Sequence, residues 1–201
     1  MAGLREKWRR SAMQTIQERA LDLFEERGFH AVTIEAVAAS AEVSPSSVYR
    51  YFGTKEGILV SDEFDEMSAD EVAETLDAAD PIASLLRLVQ RYEADPSDLS
   101  GPRESENARL PLAWRRVPFF FAVPSVRAAL LAAADAASER LAPLLAKNDA
   151  FSPVQARVLA SALTFAYIAA LEQWYDGGRN RPIADYVEEG LRPLRAVWPQ
   201  R

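Results

Sequence analysis

Residues 33–59, TIEAVAASAEVSPSSVYRYFGTKEGIL, carry the pattern that decides the fold. Thr33 is placed to cap a helix whose apolar positions Ile34, Val37, Ala38 and Ala41 recur at spacings of three and four, one helical face. Ser44-Pro45 is a second start signal: a cap hydroxyl, then a proline at the first helical position, where its missing N–H costs nothing. Val48 and Phe52, four apart, give this second helix one apolar stripe and leave Ser46, Ser47 and Arg50 off it. Thr54 caps a third helix, with Glu56 in its first turn, where a negative charge suits the helix dipole. Helix, turn of about four residues, helix is the spacing of a helix-turn-helix, whose second helix enters a DNA major groove.

Upstream, Ile16, Ala20, Leu23 and Phe24 make the inner face of a longer helix, and Gly28 stands where that helix would end in a left-handed residue. Phe29 then packs back. This ordered pattern resembles the TetR family of bacterial transcriptional regulators. The resemblance is carried by Ala20, Leu23, Phe24, Gly28, Phe29, Thr33, Val37, Ala38, Ala41, Val43, Ser44, Tyr49, Tyr51, Phe52, Lys55 and Leu59, over about the first third of the chain. One departure is Glu42, in the turn, where the family usually has glycine. If that position needs a positive φ, a glutamate there costs roughly 1 kcal/mol.

The resemblance implies that Pro45, Ser46, Ser47, Tyr49 and Arg50 approach base edges. The chemistry agrees in part. Arginine bonds guanine bidentately, serine bonds several bases, and proline or tyrosine can touch a thymine methyl. Only Arg50 is a strong reader, so direct readout is sparse. Thr33, Ser44, Tyr51 and Lys55 suit phosphate contacts, which position a helix without reading sequence. Helix N-termini at Thr33 and Thr54 would aim backbone N–H groups at phosphates. Glu35, in a first turn, reads as a favourable helix-dipole charge rather than a base contact. The run Leu4-Arg5-Glu6-Lys7-Trp8-Arg9-Arg10 holds four cations in six residues. It either extends the first helix toward the phosphate backbone or a minor groove, or forms a solvated end. Trp8 is expected to pack under the domain.

The first sixty residues hold eight Lys or Arg and eight Asp or Glu; the remainder holds fifteen against twenty-two, so it bears the whole net charge of −7. An acidic body repels DNA and confines contact to the N-terminal head. The pI of about 4.9 is equally that of an ordinary soluble enzyme, so charge alone does not separate the two. At 201 residues the chain can bury one compact core plus a small head, and 49% hydrophobic residues argue against disorder. With no cysteine and one histidine there is no disulfide framework and no zinc spacing, and no metal or cofactor is expected. No apolar run approaches the roughly 20 residues of a membrane span, and no secretory leader is visible. A cytoplasmic protein without a membrane partner is expected.

From Ile58 onward the chain reads as helical throughout, making the fold all-α: a three-helix N-terminal head of residues 1–58 and a helical effector-binding and dimerisation domain of residues 59–201. Ile82, Leu85, Leu86, Val89 and Tyr92 form one inner face between Pro81 and Pro96. Residues 95–103 read as a loop and 104–116 as a short helix. Residues 125–147 form a long alanine-rich helix that Pro143 kinks. Ser152-Pro153 opens a helix ending at Gly177-Gly178. Pro182 opens the last helix, with Ile183, Val187, Leu191, Leu194 and Trp198 on one stripe and Pro193 inside it.

Leu159, Leu163, Ala166, Ala170 and Trp174 make a stripe with small residues that permit close helix approach. With Ile183, Val187, Leu191 and Leu194 it suggests a four-helix bundle across a two-fold axis, hence a homodimer; the resemblance implies the same. Two heads would read half-sites about 34–36 Å apart in a palindromic operator. The aromatics Tyr92, Trp114, Phe119, Phe120, Phe121, Phe165 and Tyr167 concentrate in the middle of the C-terminal region, and Pro118 and Pro124 bracket an irregular Phe119–Phe121 junction that can leave a cavity. The resemblance implies a small-molecule pocket here, with Tyr92, Trp114, Phe120, Phe121 and Phe165 as the effector residues and an apolar, aromatic or acyl-bearing effector. Arg109, Arg115 and Arg116 read as solvated surface cations or partners of an acidic head group. The helix leaving the head at Lys55 is the expected lever between effector and double-stranded DNA.

The expected function is a DNA-binding regulator, a repressor by the family's commoner mode, and not an enzyme. There is no G-x-S-x-G, no Gly-rich phosphate loop and no metal-ligand cluster; His30 sits in a turn, and the carboxylates of residues 62–66 read as a solvated helical face. The alternative is a helical protein-interaction module, or an enzyme, without operator binding.

Overall fold

The computed structural model describes residues 2–61, 77, 80–94, 112–147 and 151–197, apart from the side chains of residues 2–7, 91–94 and 196–197. Among the described residues every regular element is a helix. They are α1 (Ala2–Arg27), a 3₁₀ turn (Phe29–Ala31), α2 (Ile34–Ser40), α3 (Pro45–Phe52), α4 (Lys55–Val60), α5 (Pro81–Ala94), α6 (Leu112–Arg115), α7 (Val117–Ala122), α8 (Pro124–Ala146), α9 (Pro153–Asp176) and α10 (Ile183–Val197). They group into two compact units: residues up to 61 with 114–130, and the rest.

The first unit begins with α1, whose inner face Ile16, Ala20, Leu21 and Phe24 is buried. The Gly28 N–H donates to Phe24 O at 2.9 Å, and Gly28 takes φ 82°, ψ 145°, a conformation that glycine alone adopts readily. The chain can therefore turn at once into Phe29, whose ring meets Phe24 at 5.1 Å. Val37, Val48, Ile58 and Leu59 complete this core. Each short helix has the side-chain cap its sequence announces. Thr33 Oγ1 accepts from Ala36 N, Ser44 Oγ from Ser47 N, and Thr54 Oγ1 from Gly57 N.

Residues 114–130 belong to the same core. Phe119 meets Phe24 edge-on at 5.9 Å, and Val117, Phe120 and Val126 are buried. Phe119–Phe121 thus lie within a six-residue helix, not in an irregular junction as expected. The axis bends by 114° between α6–α7 and α8. Arg115 and Arg116 are not solvated. Arg115 donates to Glu25 through Nε and Nη2, at 3.0 and 2.7 Å, and to Asp22 at 2.7 Å. Burial pulls the Arg115 pKa down, but the hydrogen bonds and charges of Glu25 and Asp22 outweigh it and the net shift is upward. Arg116 is buried, and its Nη1 donates to Leu59 O and Ser61 O at 3.2 and 2.7 Å. Gln17 Nε2 donates to Ile58 O and Ser61 O, so two side chains satisfy the carbonyls that α4 leaves open at its end.

In the second unit α10 packs against both α9 and α5. Ile183, Val187 and Leu191 fill that junction with Ile82 and Val89 of α5 and Leu163, Ala170, Leu171 and Trp174 of α9. Helix α9 opens with a full capping box between Ser152 and Gln155. Its Arg157 reaches α8, bonding Ser138, and Asp135 at 2.7 Å. Pro143 and Pro193 lie inside α8 and α10, which continue past them. Contrary to the expectation that no apolar run reaches the length of a membrane span, α9 is long and apolar enough by length and composition to cross a membrane. Part of that apolar surface serves packing on α10. The expected 95–103 loop, most of the 104–116 helix, the 62–66 carboxylates, Arg109 and Trp198 lie outside the described residues.

Candidate nucleic-acid interface

Helix α3 is amphipathic in the way a reading helix requires. Val48 and Phe52 are buried, while Pro45, Ser46, Tyr49 and Arg50 are exposed, Tyr49 by 49%. Thr33 and Ser44 stand exposed at the N-caps of α2 and α3. The expected base-edge residues Pro45, Ser46, Ser47, Tyr49 and Arg50 therefore share one surface, with Ser47 half-buried at its margin. The hydroxyls form a connected group: Ser44 Oγ lies 2.9 Å from both Ser46 Oγ and Ser47 Oγ. Arg50 Nη2 donates to Tyr51 Oη at 3.1 Å.

Glu42 sits in the turn at φ 56°, a conformation that glycine would take without strain. Its N–H donates to Ala39 O, and the Val43 N–H donates to Ala38 O, closing α2. Lys55 is placed differently from a phosphate contact. Its ammonium donates to Phe29 O at 2.8 Å and Val32 O at 2.9 Å and lies 4.3 Å from the centre of the Phe29 ring. It clips the loop entering α2 to the start of α4. Residues 28–61 hold Arg50 and Lys55 against Glu35, Glu42 and Glu56, so with Lys55 so engaged, Arg50 is the cation this surface presents. Trp8 is 72% exposed on α1 rather than packed under the domain.

Gly57 gave no signal in the sequence. A Cβ there would stand 2.0 Å from Phe52 O, so only glycine lets α4 cross the end of α3 this closely. Arg115 and Arg116 were likewise legible only as cations, because their partners lie ninety and more than fifty residues away in sequence.

The expected effector residues fall in both units. Trp114, Phe120 and Phe121 belong to the first unit, with Trp114 and Phe120 buried. Phe165 belongs to the second and is 39% exposed. Tyr92 lies on α5, with its side chain outside the described residues. Of the expected dimer stripe, Leu163, Ala170, Trp174, Ile183, Val187 and Leu191 are buried within the single chain, and Leu159, Ala166 and Leu194 are half-buried. Those six buried residues are part of the chain's own core. The apolar face that α9 leaves exposed is the neighbouring one, Val154, Val158, Phe165 and Ala169. No cluster of metal-binding side chains occurs among the described residues.

Residues 16–61 match the family model of bacterial regulatory proteins of the tetR family, and residues 101–199 match the MftR C-terminal domain model. No curated protein matches the sequence. Among solved structures, NalD of Pseudomonas aeruginosa, the secondary repressor of the MexAB-OprM multidrug efflux pump, is 20% identical, with 93% of this chain and 96% of that chain covered and a TM-score of 0.51. FadR of Thermus thermophilus, a TetR-family repressor in complex with lauroyl-CoA, is 22% identical, with 94% and 96% covered and a TM-score of 0.52. A TetR-family regulator from Rhodococcus sp. is 16% identical, with 94% and 98% covered and a TM-score of 0.53.

Proposed function

Since the chain belongs to the TetR family of transcriptional regulators, we propose that it is a repressor that binds a palindromic operator as a homodimer and releases it when an apolar small molecule binds. The observation that carries this reading is the face of α3: a Ser-capped helix held by Val48 and Phe52, with Tyr49 and Arg50 exposed above a hydroxyl group of three serines. Arg50 reads a guanine, Tyr49 and Pro45 meet apolar base edges, and Thr33 and Ser44 anchor phosphates.

Residues 1–58 are the DNA-binding domain in this proposal, and residues 59–201 bind effector and partner. The partner surface is the face of α9 bearing Val154, Val158 and Phe165, because the stripe beside it is already buried in the chain. A two-fold axis through that face would bring two copies of α9 together, flanked by the polar outer side of α10 with Asp185, Glu188 and Arg192. The effector acts through a difference in its affinity for two spacings of the reading helices; a coupling of roughly 1–3 kcal/mol gives a 5- to 150-fold change in operator affinity. Helix α8 starts in the first unit and ends in the second. Arg115, bound to α1, and Arg116, bound to the end of α4, are the points at which its movement reaches the head.

The experiment is selection of bound duplexes from a random pool by the purified protein. The expected product is a palindrome with half-sites about one helical turn apart. Arg50→Ala is expected to weaken binding to it by about 5- to 150-fold per half-site, from the ~1–3 kcal/mol of a bidentate base contact. Recovery of no preferred sequence by the wild-type protein would overturn the proposal.

A further inference from the structure

Arg50 is the strong reader of this surface, yet in the free protein its guanidinium is already engaged. Nη2 donates to Tyr51 Oη at 3.1 Å and lies 3.5 Å from Ser47 Oγ. The guanidinium carbon stands 4.8 Å from the centre of the Tyr51 ring. That ring in turn meets Phe52 edge-on at 6.4 Å, and Phe52 is part of the buried core. On the other side, Ser47 Oγ is bonded to the cap hydroxyl of Ser44. A flexible side chain is thus bracketed between an aromatic residue seated on the core and the hydroxyl group at the start of its own helix.

We propose that Tyr51 is a positioning residue for Arg50: its phenol oxygen and ring hold the guanidinium where it can present its remaining donors to a guanine edge, so Tyr51 sets sequence discrimination rather than serving as a phosphate contact. Bidentate recognition of guanine O6 and N7 needs two donors fixed in one plane. Guanidinium uses one Nη2 hydrogen on Tyr51 and keeps further donors free, since it carries five. Holding the side chain beforehand removes the ordering cost that a loose arginine would incur on the DNA. The inference deepens the DNA-binding reading and rests on it.

The test uses full-length protein and the duplex recovered by selection, together with duplexes substituted at each base pair. Binding is compared for wild type, Tyr51→Phe, Tyr51→Leu, Arg50→Ala and the Arg50→Ala/Tyr51→Phe double variant at two salt concentrations. Tyr51→Phe is expected to lose about 2- to 10-fold per half-site in affinity for the preferred duplex, the scale of one solvent-exposed hydrogen bond. The loss should fall on the same symmetric pair of positions whose preference Arg50→Ala erases. Tyr51→Leu should lose more of that preference, and Tyr51→Phe should change nothing further once Arg50 is alanine. The slope of affinity against salt should stay at its wild-type value in Tyr51→Phe. Melting curves establish that each variant is folded at the assay temperature; Tyr51→Phe keeps the ring and decides the matter if Tyr51→Leu does not fold. A loss spread equally over all duplexes and undiminished in the Arg50→Ala background overturns the proposal, as does wild-type discrimination in Tyr51→Phe. Failure of the DNA-binding reading itself is seen separately, as a wild-type protein with no preferred duplex.

Discussion

At the scale of single residues, two positions near the reading helix are decided by backbone geometry, and they predict opposite outcomes. Glu42 holds a φ of 56°, which an L side chain adopts at a cost of roughly 1–2 kcal/mol. Glycine there would remove the strain while adding about 0.5–1 kcal/mol of unfolded-state entropy. Glu42→Gly is therefore expected to stabilise the protein slightly, by about 0.5–1 kcal/mol, seen as a higher urea midpoint at an unchanged slope. Gly57 is the converse. The missing Cβ would sit 2.0 Å from a main-chain oxygen, which cannot swing aside as a side chain would. Gly57→Ala is expected to destabilise by about 1–3 kcal/mol, because α4 must move away from the end of α3. A thermal melt indistinguishable from wild type would show that the two helices are not held in this approach. Lys55 belongs to the same scale. Its ammonium holds two carbonyls of the loop before α2, so its charge serves the shape of the head.

At the scale of elements, the short helices of the head are individually too short to persist in water and depend on packing and on caps. The three cap hydroxyls of Thr33, Ser44 and Thr54 are each made, which is why their boundaries could be read from the chain. The α6–α7 corner is different, because it docks through charge. Arg115 is mostly buried, with a side-chain exposure of 14%, between Glu25 and Asp22 of α1. Arg115→Leu would leave two carboxylates facing an apolar side chain. It is expected to destabilise the first unit by about 1–3 kcal/mol, measured by calorimetry. In the proposed mechanism it should also weaken the response of operator binding to effector, since the α6–α7 corner would lose its ionic hold on α1. An unchanged melting temperature would refute the structural part of this expectation.

At the scale of the whole molecule, the proposed homodimer needs an apolar surface that meets a second copy. Helix α9 is apolar on more than one side. One side is used up by packing on α10, and the side with Val154 exposed by 74% and Val158 by 61% is not. Charges placed there should separate subunits without unfolding them. The Val158→Glu/Phe165→Glu double variant is expected to sediment as a monomer, retain its helical circular dichroism, and lose operator binding, because one head makes too few contacts for tight binding. A variant that remains dimeric would move the interface elsewhere.

Elements and family were legible in the chain because they rest on local chemistry. Cap hydroxyls, a proline at a first helical position and apolar residues three and four apart act over a single turn, so residues 33–59 announced their own helices. The composition of the α9 and α10 stripes was legible too, but their destination was not. Leu163, Trp174 and Val187 would look the same whether they faced a partner or their own core, and periodicity gives no sign of what covers a face. Only the tertiary structure assigned that stripe to the interior, joined residues 114–130 to the head through Arg115, Arg116 and Phe119, and turned Lys55 toward carbonyls. Each of those outcomes depends on groups brought together from distant parts of the chain, and long-range proximity leaves no periodic trace in a single sequence.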